Sequence, residues 1–464
     1  MTRLSLLLFS LHIFVGTVTA QSSGHPDLDQ LLSQTLDSQR LVLGPTSLSA
    51  AIQFADSAVW ADATGLSSQT DSADIQDAYL IGSVTKTITS ACILQLVDEG
   101  VLHLDDSLYQ WLDTIQYIDP AITLRQLLRH QSGLYDVLNN PACNAALQNN
   151  PAQVWDAVDL VNAFILPPLA TPGGNWSYCN TNYFLLGMVI ESATGRPFHV
   201  ELRDRFFDRL GLSCFGIPAF EVYNQPVAHA WMDLNGDGTL EDAHNVYYPW
   251  LALNSAAGAA GGYYATASDL TRWTRTYLRG DLTSPASMAE AKTLVTASGS
   301  QGGRYGLGLM RNSFQGIEAF GHGGDLVYSA SSWYFPTLDM SISVLANQNG
   351  FTSWSLLPVV NALLRTYRNW NTATNIQAIA PIMLTVYPNP FEETLEVIVD
   401  TEDPLVWPVL RDLTGRMIPI CIDELSEPQG RHLRIRLDAS VPHGVYVLSL
   451  ESAGRSLKTV RVLH

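Results

Sequence analysis

Two residues whose side chains could together attack a carbonyl carbon, Ser83 and Lys86, lie three positions apart. This spacing places them on one face of a helix, one turn apart. A serine hydroxyl is a weak nucleophile until a neighbouring base removes its proton. A lysine is that base only where burial or a nearby cation lowers the pKa of its amine; otherwise it stays charged and activates a third group. The pair predicts acyl transfer, although S-x-x-K occurs by chance about once or twice in a chain of this length.

The scarcity of lysine makes Lys86 more informative. Lys86, Lys292 and Lys458 are the only lysines among 464 residues, and arginine supplies the remaining positive charge. An amine that can titrate is a property that arginine cannot replace. This favours a chemical role for Lys86 over a solvated helix lysine.

Tyr178 and Asn180, in the segment Tyr178-Cys179-Asn180, are candidates for two further roles. A tyrosine hydroxyl near a lysine can shuttle a proton, and an asparagine amide can hold a substrate carbonyl. Taken alone, the segment is also typical of an ordinary turn.

The segment Gly321-His322-Gly323-Gly324 precedes a predicted strand at residues 328–335. Glycines there would let a substrate backbone approach closely. A backbone N–H just after them, at Asp325, could pair with that of Ser83 to form an oxyanion hole. The alternative is a tight turn with a surface histidine.

The elements that must position these residues predict an α+β domain. Apolar runs at 50–54 and 58–61 predict an early β-hairpin, and residues 328–335 and 340–345 predict a late one. Helices are predicted at 83–99, 123–130, 183–190, 268–278 and 356–367, whereas the rest of 139–262 reads as irregular loops over a site. Strands at both ends with helices between them favour an antiparallel sheet flanked by helices, in a domain spanning 21–370.

A second domain is predicted after a change of composition near residue 371. Residues 371–383 read as a linker. Short alternating runs separated by turn signals follow in 384–464, a pattern typical of a small all-β sandwich.

The first twenty residues predict a secretory signal peptide, with Arg3, an apolar stretch and small residues before Gln21. The alternative is a membrane anchor, but the stretch is short for a span. No later segment predicts a stable membrane span. The net charge of −19 argues against a nucleic-acid partner, which needs a basic stripe. We expect a secreted or cell-surface protein, exported through the periplasm.

Cofactors and disulfides leave open questions. The five cysteines are an odd number without framework spacing, and a bridge among Cys143, Cys179 and Cys214 cannot be assigned from sequence. No cofactor is required by the predicted chemistry. The segment Asp233–Glu241 resembles a calcium loop, but its twelfth position is His244 rather than an acid. A structural calcium site and an acidic turn both remain open there.

These residues together resemble the serine β-lactamase and penicillin-recognising family, in its class C and D-alanyl-D-alanine carboxypeptidase branch. The resemblance covers roughly residues 27–368 and rests on five segments: Ile81–Lys86, Thr123–Leu134, Tyr178–Tyr183, Ala260–Thr266 and Gly321–Gly324. It implies Ser83 as the acylated nucleophile, Lys86 as its activating partner and Tyr178 as the general base. It also implies substrate contacts from Asn180, His322, Gly323, Gly324 and Asp325.

Two departures from the family pattern bear on function. Cys179 replaces the usual serine of Y-S-N, and His322 stands where relatives carry lysine or histidine. A histidine is only partly charged near neutral pH, which weakens attraction for a substrate carboxylate. We therefore expect hydrolysis of amide, ester or D-alanyl peptide bonds, with esterase or β-lactamase as alternatives. A non-catalytic protein that binds cell-wall peptides is the alternative of another class.

The C-terminal segment resembles the type IX secretion sorting domain. The resemblance rests on four segments in order: Val386–Phe391, Asp412–Arg416, Gly444–Val447 and Lys458–Val460. It implies the type IX secretion machinery as a partner. A generic β-sandwich binding module is the alternative.

Overall fold

The computed structural model describes residues 21–377, 384–387, 389, 394–399, 407–427, 430–438, 440–452 and 455–464. The chain divides into two compact units between Arg368 and Asn369. The predicted signal peptide and the predicted linker residues 378–383 lie outside the described residues. Within the described part, no helix has both the length and the apolar character needed to cross a bilayer.

An eight-stranded antiparallel sheet forms the centre of the first unit, in the order β2-β1-β12-β11-β10-β9-β8-β7. The described strands of this unit are β1 (Ser47–Gln53), β2 (Val59–Gly65), β3 (Tyr79–Leu80), β4 (Trp231–Met232), β5 (Glu241–Asp242), β6 (Tyr264–Ala265), β7 (Val295–Thr296), β8 (Arg304–Tyr305), β9 (Met310–Phe314), β10 (Ile317–Leu326), β11 (Tyr328–Phe335) and β12 (Met340–Ala346). The N-terminal hairpin thus pairs with the C-terminal one through β1 and β12.

Helices flank this sheet, and β1, β11 and β12 are buried along their whole length. The described helices are α1 (Pro26–Leu43), α2 (Thr85–Asp98), α3 (Leu124–Leu128), α4 (Pro141–Asn149), α5 (Ala157–Phe164), α6 (Thr181–Thr194), α7 (Phe198–Leu202), α8 (Asp208–Leu210), α9 (His244–Tyr247), α10 (Leu251–Gly261), α11 (Ala267–Arg279), α12 (Pro285–Ala291) and α13 (Leu357–Gln377). Helix α11 packs on β1, β11 and β12, while α2, α6 and α10 pack together. The predicted α+β fold and both predicted hairpins are confirmed.

One expectation about local structure is wrong in part. Residues 139–262 hold more helix than expected, because α4 to α10 lie there, and of these α6 alone was predicted, at 183–190. These helices are short and several begin at a capping side chain, such as Asn140 or Asp156, and they are stabilised by packing rather than by a long periodic face. Residues Gly321–Gly324 precede β11 as predicted, but they form no tight turn. They lie inside β10, where all four pair with β11 and Gly321 also pairs with β9, despite the low strand preference of glycine.

The second unit contains two four-stranded antiparallel sheets, ordered β13-β14-β18-β17 and β16-β15-β19-β20. Its strands are β13 (Leu384–Tyr387), β14 (Thr394–Val399), β15 (Trp407–Asp412), β16 (Met417–Ile418), β17 (Ile420–Glu427), β18 (Gly430–Leu437), β19 (Val445–Ser452) and β20 (Arg455–Leu463). Leu395 and Ile435 from one sheet share a core with Leu410 and Leu448 from the other. Residues 371–377, expected as linker, instead complete α13.

Candidate active site

The predicted site residues converge where the start of α2 meets the sheet. Ser83 lies in a 3-10 turn, Gly82–Val84, which contacts β10, β11 and α10. A cavity of about 330 Å³ opens beside this turn. Six predicted residues line it: Ser83, Tyr178, Asn180, His322, Gly323 and Asp325. Of the remaining two, Lys86 hydrogen-bonds to Ser83 and Gly324 packs against the turn.

Lys86 is completely buried, and its amine makes three hydrogen bonds. Its Nζ lies 2.8 Å from Asn180 Oδ1, 2.7 Å from the Ala260 carbonyl oxygen and 3.0 Å from Ser83 Oγ. The first two partners only accept hydrogen bonds, whereas a serine hydroxyl can also donate. A neutral amine would therefore use its two hydrogens on these acceptors and direct its lone pair at the Ser83 hydroxyl.

The electrostatics agree with a neutral amine. Burial lowers the pKa of Lys86 to about 7, although the nearby Asp136 carboxylate acts in the opposite direction. A large fraction of Lys86 is consequently unprotonated near neutral pH. This is the condition under which a lysine accepts the proton of a serine.

Asn180 and Asp136 hold the lysine in place. Asp136, nearly fully buried, accepts hydrogen bonds from the backbone N–H and side-chain Nδ2 of Asn180, at 2.9 and 2.8 Å. A carboxylate has no hydrogen to donate, so this contact fixes the amide with Oδ1 facing Lys86. The geometry gives Asn180 a positioning role beside its predicted contact with substrate.

Tyr178 lies against both Lys86 and Ser83. The Lys86 Nζ is 5.0 Å from the centre of its ring. Burial raises the pKa of Tyr178 above its ordinary value, opposed by a hydrogen bond with Ser83. Its phenol is therefore protonated in the resting site and is placed to pass a proton to or from Ser83.

The backbones of Ser83 and Asp325 approach each other because two glycines leave room. A methyl group placed on Gly82 would lie 2.8 Å from Asp325 N, and Gly82 has a φ of +52°. A methyl group on Gly324 would lie 2.0 Å from the Ile81 carbonyl oxygen and 2.9 Å from Ser83 N. The predicted oxyanion pair, Ser83 N–H and Asp325 N–H, is thus brought to one place by contacts that only glycine permits.

His322 belongs to a buried hydrogen-bonded chain that determines its protonation. Its Nδ1 donates to the Gly323 carbonyl oxygen, so its Nε2 accepts from the Tyr305 hydroxyl at 2.9 Å. Tyr305 in turn pairs with His130 Nε2 at 3.2 Å, and His130 Nδ1 accepts from Cys179 N. Burial, with a smaller contribution from Lys86, lowers the pKa of His322 to about 3. The histidine is therefore neutral and supplies no cation.

Sequence reasoning missed several residues that shape the site. Asp136 and His130 lie in or beside the Thr123–Leu134 segment that carried the family resemblance, so that segment held the available signal. Tyr305, Gln301 and Ser353 belong to no motif, and only the fold brings them to the cavity edge or to His322.

The cysteines and the acidic loop contribute no feature of the site chemistry. All five cysteines are free thiols, so no bridge links Cys143, Cys179 and Cys214. Among the described residues, no three His, Cys, Asp or Glu side chains converge to hold a metal ion.

In the Asp233–Glu241 loop, both carboxylate oxygens of Asp233 accept backbone N–H groups. The His244 ring at the twelfth position stacks on His229 and Tyr248. These contacts fit an acidic turn better than a calcium loop, and calcium binding there stays a prediction.

The fold and the Ser–Lys–Tyr arrangement define a class of serine hydrolases. The family model described as "Beta-lactamase" matches residues 50–363. The chain belongs to this family.

Two relatives with assigned names are similar to part of this chain. Penicillin-binding protein 4* of Bacillus subtilis (strain 168) is 26% identical over 256 residues, covering 53% of this chain and 55% of the relative. D-aminopeptidase of Brucella canis is 29% identical over 295 residues, covering 61% of this chain and 52% of the relative. The chain thus spans about half the length of these relatives.

Two solved structures cover most of their own length. A D-stereospecific amidohydrolase from Streptomyces sp. is 30% identical, with a TM-score of 0.62, covering 71% of this chain and 97% of that one. A D-amino acid amidase from Ochrobactrum anthropi SV3 is 22% identical, with a TM-score of 0.66, covering 74% and 99%. The second likeness concerns the fold alone.

Proposed function

We propose that this chain hydrolyses amide bonds through an acyl-enzyme on Ser83. The observation that carries the proposal is the set of contacts around Lys86, which a neutral amine satisfies while facing the Ser83 hydroxyl. D-aminopeptidase and D-stereospecific amidohydrolase among the similar proteins support amide bonds of D-amino acid derivatives as the substrates.

The reaction follows from the site geometry. Ser83 Oγ attacks the carbonyl carbon and its proton passes to Lys86 Nζ, which becomes charged. The carbonyl oxygen, now negative, accepts hydrogen bonds from the N–H groups of Ser83 and Asp325. Lys86 returns the proton through the Tyr178 hydroxyl to the leaving nitrogen, and the C–N bond breaks. Water then attacks the ester by the same steps and releases the acid.

A neutral His322 weakens the case for substrates that carry a carboxylate. Relatives with a lysine at this position have a permanent cation there, as the family resemblance implies, whereas His322 holds none. We therefore rank β-lactams and peptides with a C-terminal carboxylate below amides that lack a carboxylate. Rapid hydrolysis of a chromogenic cephalosporin would overturn this order.

The first prediction concerns covalent labelling. A fluorophosphonate probe should label the wild-type chain at Ser83, and Ser83→Ala should abolish the label because the nucleophile is gone. Ser298→Ala, which removes another serine of the cavity lining, should label like wild type. Peptide mass spectrometry locates the label. Absence of label and of amide, ester or lactam turnover in wild type would favour the non-catalytic binding protein.

The second prediction concerns pH. With a neutral amide substrate, kcat/KM should rise roughly tenfold per unit below pH 7 and level off above it, because the neutral form of Lys86 is the base. His322 titrates far below this range and Tyr178 above it. A pH–rate profile from 5.5 to 8.5 checks this, and activity that falls as pH rises through 7 would contradict it.

We further propose that the protein is exported and that residues 384–464 act as a type IX sorting domain. The sequence segments named above support this, together with a separate β-sandwich core in the second unit. Fractionation of the native host and intact-mass analysis of the surface or secreted protein test it. A cytoplasmic protein that retains residues 1–20 would contradict export. A persistent C-terminal domain that works as an adhesion module would contradict sorting.

A further inference from the structure

A second hydrogen-bonded chain lies at the edge of the active-site cavity and involves Gln301, Ser353 and Asp325. Ser353 N and Oγ donate to the two carboxylate oxygens of Asp325, at 2.5 and 2.7 Å. Gln301 Nε2 donates to Ser353 Oγ at 3.0 Å. Gln301 and Ser353 are buried, with 1% and 3% of their surface exposed. All three residues line the cavity.

This chain fixes the orientation of the Gln301 amide. The single hydroxyl hydrogen of Ser353 is used on Asp325, so Ser353 Oγ accepts from Gln301, and Gln301 must present its NH₂ group. The Gln301 Oε1 is left without a donor among the described residues, although it is buried. A buried carbonyl oxygen without a donor is costly. Because Gln301 lines the cavity, a ligand that turns this amide toward it can supply the missing donor.

The charge of the cavity identifies the kind of donor. Among the described residues that line it, Asp325 is the single carboxylate, and neither lysine nor arginine is present. His322 is neutral, as shown above. Burial raises the pKa of Asp325, but the two Ser353 donors act in the opposite direction and favour its ionised form. The cavity thus favours a cation over an anion.

The acceptors lie beside the oxyanion pair. A methyl group placed on Gly323 would lie 2.6 Å from Ser353 Oγ and 2.9 Å from Gln301 Nε2. Gly323 is two residues from Asp325, which offers its N–H to the carbonyl oxygen and its carboxylate to the neighbouring space. In an α-amino amide, the amino nitrogen is two bonds from the carbonyl carbon, so both groups of one substrate can meet Asp325.

We propose that Asp325 and Gln301 form an ammonium subsite that selects substrates with a free amino group next to the scissile carbonyl. This rests on the proposed amide hydrolysis at Ser83 and names its substrate class. The ammonium donates to the Asp325 carboxylate and to Gln301 Oε1. Substrates with an acylated amine lose the charge and one or more donors. Gln301 Oε1 then stays without a donor, and the Asp325 carboxylate keeps its two Ser353 contacts but gains no cation.

A matched substrate pair tests the subsite: phenylalanine p-nitroanilide and its N-acetyl derivative, each as D and L enantiomers. Wild type should prefer the free amine by roughly 10²-fold in kcat/KM for the enantiomer it cleaves. Asp325→Asn keeps the backbone N–H and should reduce this preference roughly 30-fold, and Gln301→Met roughly fivefold. Glu318→Gln removes a carboxylate elsewhere on β10 and should keep the preference within about twofold.

The outcomes separate this proposal from the one it rests on. Wild type that is labelled at Ser83 but cleaves the N-acetyl anilide equally well or better overturns the subsite alone. So does an unchanged preference in Asp325→Asn, provided that its melting temperature and its labelling show a folded site. Failure of Ser83 to be labelled, with no hydrolysis of either anilide, overturns the amide hydrolase itself.

Discussion

Replacing Lys86 with methionine or arginine is expected to slow acylation of Ser83 by about 10³-fold. Methionine fills the space but has no basic nitrogen. Arginine keeps a charge but cannot release its proton, and its planar head does not fit three partners within 2.7 to 3.0 Å of one nitrogen. Stopped-flow labelling with the fluorophosphonate probe measures the rate.

Lys292→Arg is the matched control for this loss. Lys292 is a half-buried lysine of the same unit, and its Nζ donates to the Leu278 carbonyl oxygen at 2.8 Å, outside the cavity lining. Its replacement should leave acylation within about twofold of wild type. Near-wild-type acylation by Lys86→Met would show that another group activates Ser83.

A stability measurement tests the lowered pKa of Lys86 without any substrate. The amine titrates at about 7 in the folded protein against its ordinary value of 10.5. Between these values the unfolded chain holds a proton that the folded chain has released, so the free energy of unfolding rises with pH. From pH 7 to 9, wild type should gain on the order of 2 kcal/mol relative to Lys86→Met. Below pH 7, the difference between the two should level off. Denaturation followed by tryptophan fluorescence gives the comparison.

The elements that could be predicted from sequence are those whose signal is local. Alternation in residues 328–335 and 340–345 was sufficient for the late hairpin. Thr123 was recognisable as a helix cap because threonine is a favoured N-cap residue, and its hydroxyl accepts a hydrogen bond from N–H of Gln126, the third residue of α3. Ser83 and Lys86 were found because residues three apart share a helix face wherever the helix is placed. Such signals do not depend on the rest of the chain.

Most helices between 139 and 262 escaped prediction because their stability is not local. Helix α6 is the exception: its apolar run predicted a helix at 183–190, although it is buried almost all round and shows no amphipathic period. Helices α7 and α9 have five and four residues, too short to form without tertiary packing. The proline and glycine residues between these helices led to the prediction of loops, although they only mark where one helix ends and the next begins.

The active site shows the same difference between local signals and properties that depend on distant contacts. The chemistry of Ser83 and Lys86 could be read from residue type, but the properties that tune it depend on contacts from distant segments. Asp136 reaches Asn180 across 44 positions, and Tyr305 fixes the state of His322 from another strand. A charged or neutral His322 could not be distinguished by sequence, because its pKa depends on burial that the fold creates.

Adding a single methyl group at Gly324 is expected to impair catalysis strongly, although it removes no reacting group. In Gly324→Ala the new carbon would lie 2.0 Å from the Ile81 carbonyl oxygen and 2.9 Å from Ser83 N, and both are backbone atoms that cannot rotate away. Either β10 or the Gly82–Val84 turn must move, which separates the N–H groups of Ser83 and Asp325. Loss of one oxyanion donor costs about 10²- to 10³-fold in kcat, and we expect a fall of this size.

Gly321→Ala distinguishes this local effect from general damage to the strand. A methyl group there would lie 2.0 Å from the Ser332 carbonyl oxygen on β11, so the clash is as severe and on the same strand, but not against Ser83. Both variants should lower the melting temperature. Circular dichroism at the assay temperature gives the folded fraction, so that kcat can be expressed per folded molecule. On this basis, the loss of kcat in Gly324→Ala should exceed the loss in Gly321→Ala by at least about tenfold. Equal losses would mean that the tight approach of Gly324 to the Ser83 turn serves packing, and that the oxyanion is stabilised elsewhere.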